Sequence, residues 1–461
     1  MVARARWVRN CVTGRNELSD VEYLFRADPV FTPYGGEGLD IARLEAQIDR
    51  WLQAAQLDPS SIAAGGALVT GLAARSANAD KLTRLVKARF HQAVVAATND
   101  PCLESWLAFM GNALELSRAQ PQRPLINIDI GGGTSNLAWG MAGGVQRCGC
   151  YYVGARLAQV EPGTYRLRSL STFAAALLGE LGIAAKVGGE LTPDEIEAVI
   201  AFYVHLLEAA ITGGPPPHPH EIARQHCQVE FMIPRTVSDL LRKEPVITLS
   251  GGVGELAYRH ARGEPMPEKT AFGDLGIDLA KAICESPVLG RHLTSHVPSG
   301  LGRATVQGLT IHSTEVSGAT IYLPKPEILP LVDLPILGTI GAQASESDLD
   351  NLLELAARAE AGACLRIELE DHSTRAVKAL GERLAGALEL LLFPATHALV
   401  LLTSGNIGKT LGHYATRWGR TSTALVVIDE LPARFAQFAT IGRFAHGLIP
   451  VSFHGLEGRV G

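Results

Sequence analysis

One segment of the sequence, Asn127-Ile-Asp-Ile-Gly-Gly-Gly-Thr-Ser-Asn136, combines an acid with glycines and hydroxyls. Its apolar residues predict a buried strand, 125–130, that brings Asp129 to a solvent-facing loop at its end. The turn after the strand consists of Gly131, Gly132, Gly133, Thr134 and Ser135. Because glycines have no side chains, consecutive N–H groups can converge on one anion of phosphate size, and the hydroxyls add donors. The pattern favours a phosphate-binding loop over a plain hairpin with a glycine turn.

The acid in this segment has its own chemistry. A carboxylate beside a phosphate-binding loop repels phosphate unless a cation lies between them. We therefore expect Asp129 to position a hydrated Mg²⁺ through water, and we assign it the catalytic role.

A second glycine loop, Leu249-Ser-Gly-Gly-Val-Gly-Glu255, follows a predicted strand, 246–250, and begins a predicted helix. Its glycines are Gly251, Gly252 and Gly254. A helix N-terminus and a bare glycine backbone can approach a nucleotide closely. Strand–glycine–helix junctions are common, so this loop becomes persuasive only together with the first one.

The composition excludes several classes of protein. The chain has 461 residues, with 41 Lys and Arg against 47 Asp and Glu, for a formal net charge of −6. This balance provides no general attraction to nucleic acid or to anionic membranes. Seven cysteines, an odd number, predict a reducing cytosol rather than a disulfide framework. No apolar run is long enough for a membrane span or a secretory signal, so we expect a cytoplasmic protein.

Strands that alternate with helices predict an α/β fold. The predicted strands are 20–26, 64–70, 125–130, 135–139, one through 151–153, 246–250, 398–403 and 424–429. The predicted helices are 44–55, 193–211, 235–243, 350–361 and 376–391. A helical pattern ends in a proline-punctuated linker at 114–124, and the prolines of 324–340 prevent regular helix. These two breaks divide the chain into three predicted domains, 1–121, 122–325 and 326–461.

Other polar motifs carry less weight. The segment Gly405-Asn-Ile-Gly-Lys-Thr410 resembles a phosphate loop, but that spacing requires glycine where Thr403 stands, so a strand–helix turn is favoured. Cys148 and Cys150 lack the spacing and the second pair of a zinc site.

The histidines show no catalytic or metal-binding pattern. His292 and His296 are four residues apart without a third ligand. Three histidines near a proline-rich loop are expected to be solvated: His218, His220 and His226.

The two glycine loops, in this order, resemble the phosphate-2 and adenosine motifs of the superfamily that joins actin, heat-shock chaperone ATPases and sugar kinases. Further segments resemble the ethanolamine ammonia-lyase reactivating factor family (EutA), and the similarity runs from about residue 18 to residue 454. These segments are Phe272-Gly-Asp-Leu-Gly276, Arg303-Ala-Thr-Val-Gln-Gly308, Ser317-Gly-Ala-Thr-Ile321, Gly405-Asn-Ile-Gly-Lys-Thr-Leu-Gly412, Val427-Ile-Asp-Glu430, Ile441-Gly-Arg443 and Gly447-Leu-Ile-Pro-Val451.

The resemblance implies duplicated actin-like (ribonuclease H-like) ATPase domains followed by a C-terminal α/β domain. It implies ATP and Mg²⁺ as cofactors and ethanolamine ammonia-lyase as partner. Damaged cobalamin would be released from that lyase in a chaperone-like cycle. The resemblance also implies a cytoplasmic location, with association with a bacterial microcompartment left open. Asp129 would serve Mg²⁺, residues 131–135 would hold phosphates, and the glycines of 251–254 would face adenosine. Self-association is left open.

The sequence departs from the family pattern in its first domain, which we expect to be truncated. The family's N-terminal Asp-x-Gly phosphate hairpin has no counterpart upstream of Val21. Two explanations compete: either the start codon is assigned too far downstream, which predicts codons for the hairpin upstream of Met1, or this lineage has lost the loop. Leu72 stands where the family usually carries an acid, and Phe109-Met-Gly-Asn-Ala113 replaces a glycine-richer loop. These departures leave two alternatives to an ATP-dependent reactivase: an ATPase-deficient binding protein of the same fold, and a small-molecule kinase of the superfamily.

Overall fold

The structure is a computed structural model. It describes residues 1–9, 16–28, 30, 32–35, 38–58, 61–62, 67, 76–89, 100–231, 244–298, 300–312, 314–318, 320–432, 436–444 and 447–456. The chain forms two compact units. Unit 1 comprises Met1–Val69, Ala73–Thr98 and Ser313–Glu457, and unit 2 comprises Thr70–Leu72, Asn99–His312 and Gly458–Gly461. The division into three domains stays a prediction.

The described elements include both strands and helices. The strands are β1 (Val2–Arg9), β2 (Asn16–Phe25), β3 (Tyr34–Gly35), β4 (Gly38–Leu39), β5 (Leu125–Ile130), β6 (Ser135–Met141), β7 (Gly144–Tyr151), β8 (Ala158–Val160), β9 (Leu167–Leu170), β10 (Cys227–Val229), β11 (Val246–Ser250), β12 (Thr314–Val316), β13 (Leu331–Gly341), β14 (Ala363–Glu368), β15 (Ala398–Thr403), β16 (Ala424–Ile428), β17 (Ala436–Ile441) and β18 (Pro450–Leu456). The helices are α1 (Ile41–Ala54), α2 (Ala79–Arg89), α3 (Pro101–Asn112), α4 (Leu114–Ala119), α5 (Thr172–Glu180), α6 (Pro193–Thr212), α7 (His220–Gln225), α8 (Gly251–Ala261), α9 (Gly276–Glu285), α10 (Ala304–His312), α11 (Glu346–Ala357), α12 (Thr374–Leu390) and α13 (Gly408–Ala415). Two short 3₁₀ helices are Leu301–Arg303 and Pro326–Ile328.

Unit 2 is built on a five-stranded sheet in the order β10-β7-β6-β5-β11. The first four strands pair antiparallel with their neighbours, whereas β11 runs parallel to β5. Every residue of β5 and β11 is buried, as expected for apolar strands covered on both faces. This mixed sheet, with the helices of the same unit, confirms the predicted α/β class for the part of the chain that carries the first glycine loop.

Helices α3 and α10 pack closely in unit 2 because glycines line their contact. A Cβ added to Gly111 would lie 1.9 Å from the carbonyl oxygen of Ala304. A Cβ added to Gly308 would lie 2.0 Å from the carbonyl oxygen of Leu107. The two backbones therefore meet without intervening side chains, and this close approach determines where Asn112 and Thr305 lie.

Unit 1 contains a seven-stranded sheet in the order β12-β18-β17-β13-β14-β15-β16. The strands β13 to β16 are parallel, and the other pairs are antiparallel. A separate core of buried side chains forms between these parallel strands and helices α11, α12 and α13. The N-terminal strands β1 and β2 pair as an antiparallel hairpin in this unit.

The strands predicted at 125–130, 246–250 and 398–403 are present with those bounds. Residues 324–340 are not a linker alone, because most of them form strand β13 of the large sheet. The predicted strand 64–70, the predicted helix 235–243 and Leu72 lie outside the described residues, apart from Ala67.

The expectation of solvated histidines is wrong for His226. His218 and His220 are exposed, but His226 is fully buried, with its Nδ1 2.9 Å from the carbonyl oxygen of Ile222. Its ring packs edge-on against Phe202, and burial lowers the pKa of this imidazole. Helix α7 ends just before His226, and the chain turns inward there to form β10.

Candidate functional site

Asp129 lies near the end of β5, in register with Ser250 at the end of the parallel strand β11. It is only 7% exposed, which corrects the expectation of a solvent-facing loop. Its Oδ1 accepts a hydrogen bond from the Ser250 hydroxyl at 2.6 Å, and its Oδ2 accepts one from the Thr305 hydroxyl at 3.0 Å. Burial raises the pKa of this carboxyl above its ordinary value, although the two hydroxyls act in the opposite direction.

Two asparagines continue the hydrogen-bond network from the Ser250 hydroxyl: Asn127 bonds to Ser250, and Asn112 bonds to Asn127. The Asn127 amide nitrogen donates to Ser250 Oγ at 3.0 Å, and its Oδ1 accepts from Asn112 Nδ2 at 2.7 Å. Asn112 also donates to the carbonyl oxygen of Leu249 and accepts from the amide of Leu301. Every polar group of the Asn112 side chain is therefore bonded, so the network holds a single arrangement.

The first glycine loop is anchored through its carbonyl groups. The carbonyl oxygen of Gly131 accepts from Ala155 at 3.1 Å, and that of Gly132 accepts from Arg156 at 2.6 Å. In the part of the chain that the structure describes, the amides of Gly132 and Gly133 donate to no protein acceptor. The loop thus presents two N–H groups that a bound anion can accept.

The two hydroxyl residues of this loop differ. Ser135 is fully buried, and its Oγ donates to the carbonyl oxygen of Val153 at 2.8 Å. This corrects the expectation that its hydroxyl adds a phosphate donor, because the alternation of β6 turns the side chain away from the loop. The Thr134 hydroxyl has only a long contact, 3.5 Å, from the Asn136 amide nitrogen, so its proton remains free to donate.

The second glycine loop forms the N-terminus of α8. Gly251 has φ of +78°, and a Cβ there would lie 2.4 Å from the carbonyl oxygen of Ile130. Around Gly252, by contrast, nothing lies within 4 Å of an added Cβ. Ser250, the residue before the helix, makes no side-chain cap, because its hydroxyl is donated to Asp129. The first N–H groups of α8 are therefore available to a ligand.

An arginine that the sequence reasoning missed lies against the first loop. A Cβ on Gly132 would contact Arg156 Cδ at 3.1 Å. The Arg156 guanidinium pairs with Asp274 at 3.2 Å, and Asp274 also accepts the amide of Gly276. Asp274 belongs to one of the segments that resemble the EutA family, but no local pattern links it to Arg156, which is 118 residues away in the sequence.

Asn136 is the cross-strand partner of Asp129, so their side chains share one face of the sheet. It is only 1% exposed, and no described residue donates a hydrogen bond to its Oδ1. A buried acceptor without a donor is costly, which indicates a donor that the protein alone does not provide.

The cysteine and histidine motifs form no site among the residues that the structure describes. Cys148 and Cys150 are buried on β7, and burial raises the pKa of Cys148. His292 accepts the amide of Ile247 through Nδ1 in the core. Within the described ranges, no group of three or more His, Cys, Asp or Glu side chains is arranged to hold a metal. No helix in these ranges is long and apolar enough to cross a bilayer.

A surface cleft of about 630 Å³ is lined by residues that include Arg123 and Glu244. Those residues precede β5 and β11, whereas Asp129 and Ser250 lie at the opposite ends of the same strands. We therefore place the candidate site at the glycine loops rather than in this cleft.

Comparison with known families agrees with these motifs. The model of the ethanolamine utilisation protein EutA matches residues 6–456 of the chain. The chain belongs to the EutA family. Two curated relatives, from Salmonella typhimurium and Escherichia coli K12, are each named ethanolamine ammonia-lyase reactivase EutA. Each is 30% identical over 457 residues, covering 96% of this chain and 91% of the relative.

Solved structures give weaker similarity. The Ppx/GppA phosphatase of Aquifex aeolicus is 14% identical, with a TM-score of 0.29, over 67% of this chain and 85% of its own. MreB 5 of Spiroplasma citri bound to AMPPNP is 13% identical, with a TM-score of 0.27, over 58% of this chain and 81% of its own. These scores are too low to define a common fold, so the fold of this EutA-family chain is assigned from its strand order.

Proposed function

We propose that this chain is a reactivating factor for ethanolamine ammonia-lyase that binds ATP with Mg²⁺ at the two glycine loops. Family membership over residues 6–456 supports the lyase as partner. The release of damaged cobalamin follows from the family resemblance. The observation that supports the nucleotide site is the meeting of two open N–H clusters around a buried carboxylate, Asp129.

The donor set fits a hydrated magnesium ion. Each Asp129 oxygen accepts one hydroxyl and keeps a second lone pair. Asn136 Oδ1, on the same face, is an acceptor that waters around a cation can satisfy. When bound, Mg²⁺ would neutralise the charge between this carboxylate and phosphate oxygens, as it does in other phosphate sites.

The protein groups have separate parts in this proposal. Ser250 and Thr305 orient the Asp129 carboxylate by donating to its two oxygens. The amides of the first loop and the Thr134 hydroxyl bind phosphate oxygens, and Arg156 adds positive charge beside them. The uncapped N-terminus of α8 at Gly252 faces the remainder of the nucleotide.

The reactivation role is tested with ethanolamine ammonia-lyase inactivated by a cobalamin that lacks the adenosyl group. The full chain, adenosylcobalamin, ATP and Mg²⁺ should together restore ammonia release. Omission of the chain or of ATP should leave the lyase inactive. Equal recovery without the chain would contradict the proposed role.

An ATPase-deficient binding protein is the main alternative, because the loss of Ser135 as a phosphate donor weakens the phosphate contacts. ATP hydrolysis measured with and without the lyase separates the two. Nucleotide and lyase binding without turnover would identify the binding protein. Phosphoryl transfer to ethanolamine or a sugar would instead identify the kinase alternative.

A further inference from the structure

A second polar cluster lies in unit 1, at the carboxyl ends of the adjacent parallel strands β15 and β16. Asp429 and Glu430 directly follow β16, and Asn406 lies in the loop between β15 and α13. Asp429 is fully buried and Glu430 is 8% exposed. The carboxyl edge of parallel strands is where open α/β sheets bind ligands.

Each of these two carboxylates is satisfied at one oxygen and unsatisfied at the other. Asp429 Oδ2 accepts the Thr320 hydroxyl and the amide of Gly408. Glu430 Oε1 accepts Arg9 Nη2 at 3.0 Å and Asn406 Nδ2 at 2.5 Å. Asp429 Oδ1 and Glu430 Oε2 are buried and have no hydrogen-bond partner among the described residues.

The two unsatisfied oxygens point to one place. A Cβ built on Gly318 would lie 2.5 Å from Glu430 Oε2 and 2.6 Å from Asp429 Oδ1. Gly318 does not have positive φ, so its backbone alone does not require glycine. The space left by its missing side chain is therefore occupied in part by two converging carboxylate oxygens. In each carboxylate, the other oxygen is held in place by hydrogen-bond donors.

The charge of the cluster determines what it can bind. The N-terminus of α13 already donates the Gly408 amide to Asp429, and among the described residues the two acids have one arginine partner, Arg9, which pairs with Glu430. An anion such as phosphate would be repelled at this position. A cation would satisfy two converging carboxylate oxygens that lack donors, and carboxylate, amide and hydroxyl oxygens are the ligands of hard divalent ions.

We propose that Asp429 Oδ1 and Glu430 Oε2 form a binding site for a hard divalent cation, of the Mg²⁺ or Ca²⁺ class, beside Gly318. Two protein carboxylates suffice for Mg²⁺, which keeps several waters, whereas Ca²⁺ would take more of its oxygen ligands from water or carbonyl groups. The site is independent of the nucleotide site proposed at Asp129, which lies in unit 2. It explains why this chain combines Ser317-Gly318, Asn406 and Asp429-Glu430 in one cluster.

The test uses the full chain, treated with chelator and free of nucleotide, titrated with Ca²⁺ and then with Mg²⁺ by calorimetry. The chain carries Asp129→Asn, so that any metal bound at the nucleotide site is removed. We expect one cation per chain, with an affinity that Glu430→Gln lowers at least tenfold. The control is Glu389→Gln, which changes an exposed acid of the same unit that pairs with Arg417.

A second measurement tests the proposal even if Glu430→Gln does not fold, because it does not use that variant. In the Asp129→Asn chain, Ca²⁺ should raise the melting temperature in a saturable way, because it binds only the folded state. No cation binding, or binding that Glu430→Gln leaves unchanged while the variant folds, would overturn the proposal. A proton shared by the two carboxyls would then account for the cluster, and Glu430→Gln would melt at or above the parent's temperature.

Discussion

The buried carboxylate of Asp129 is where stability and the proposed chemistry oppose each other. Burial raises its pKa, so the folded state favours the protonated form. The stability that this shift contributes is full below the ordinary pKa of an aspartate. It is lost as the pH rises through the folded-state pKa. At neutral pH, ionised Asp129 therefore costs folding free energy that a bound cation would recover.

Asp129→Asn should separate these two effects. We expect the variant to lose at least tenfold in Mg²⁺-dependent ATP affinity, about 1.4 kcal/mol, because the charge that orients the cation is gone. Without ligand, its melting temperature at pH 7.5 should equal or exceed that of the parent. This advantage should shrink as the pH falls toward 4. Calorimetry and thermal melting provide the two measurements, and undiminished Mg-ATP affinity would contradict the metal role.

The two hydroxyls of the first loop provide a matched pair. Ser135→Ala removes a buried hydrogen bond to Val153, so it should cost about 1 kcal/mol of stability and leave ATP affinity nearly unchanged. Thr134→Ala should do the reverse, because its hydroxyl has no firm protein acceptor. Urea unfolding and nucleotide titration of both variants test this. If Ser135→Ala lost more ATP affinity than Thr134→Ala, the phosphate would lie on the face of the sheet that carries the Ser135 side chain.

At the level of the element, two neighbouring glycines at the start of α8 also separate an effect on stability from an effect on ATP affinity. Gly251→Ala forces a side chain into φ of +78° and against the carbonyl oxygen of Ile130, so it should destabilise unit 2 by more than about 1 kcal/mol. Gly252→Ala meets open space and should keep the parent's stability. We expect it to weaken ATP binding, because its methyl group enters the ligand's side of α8. Unchanged affinity in Gly252→Ala would show that the nucleotide does not approach this helix.

The sequence predicts the elements around the site better than their contacts. Strands 125–130 and 246–250 can be predicted from the sequence because each is an apolar run that ends at a glycine turn. The bond from Thr305 to Asp129 spans 176 residues and depends on the close packing of α3 on α10. No local pattern encodes that packing. The sequence predicts Asn112 only as part of an altered loop, whereas it is the last residue of helix α3. Likewise, the alternation of side chains along a strand shows that Ser135 lies on one face of the sheet, but it does not show which face.

At the scale of the whole molecule, the two units have separate cores. One core fills unit 2 around β5 and α6, and the other fills unit 1 around β15 and α12. The two proposed sites lie at the carboxyl ends of parallel strands in different units. Ligand binding should therefore stabilise the local structure around each site more than the other unit.

Hydrogen exchange read by mass spectrometry can test that separation. Mg²⁺ with a non-hydrolysable ATP analogue should slow exchange in 125–141 and 246–261, because the ligand closes the open N–H groups there. Ca²⁺ alone, added to the Asp129→Asn chain, should slow exchange in 403–410 and 424–430 and leave the first pair unchanged. Glu430→Gln should abolish only the second effect. Equal protection of both pairs by either ligand would mean that the sites are coupled through the fold, since each ligand would then stabilise backbone that it does not contact.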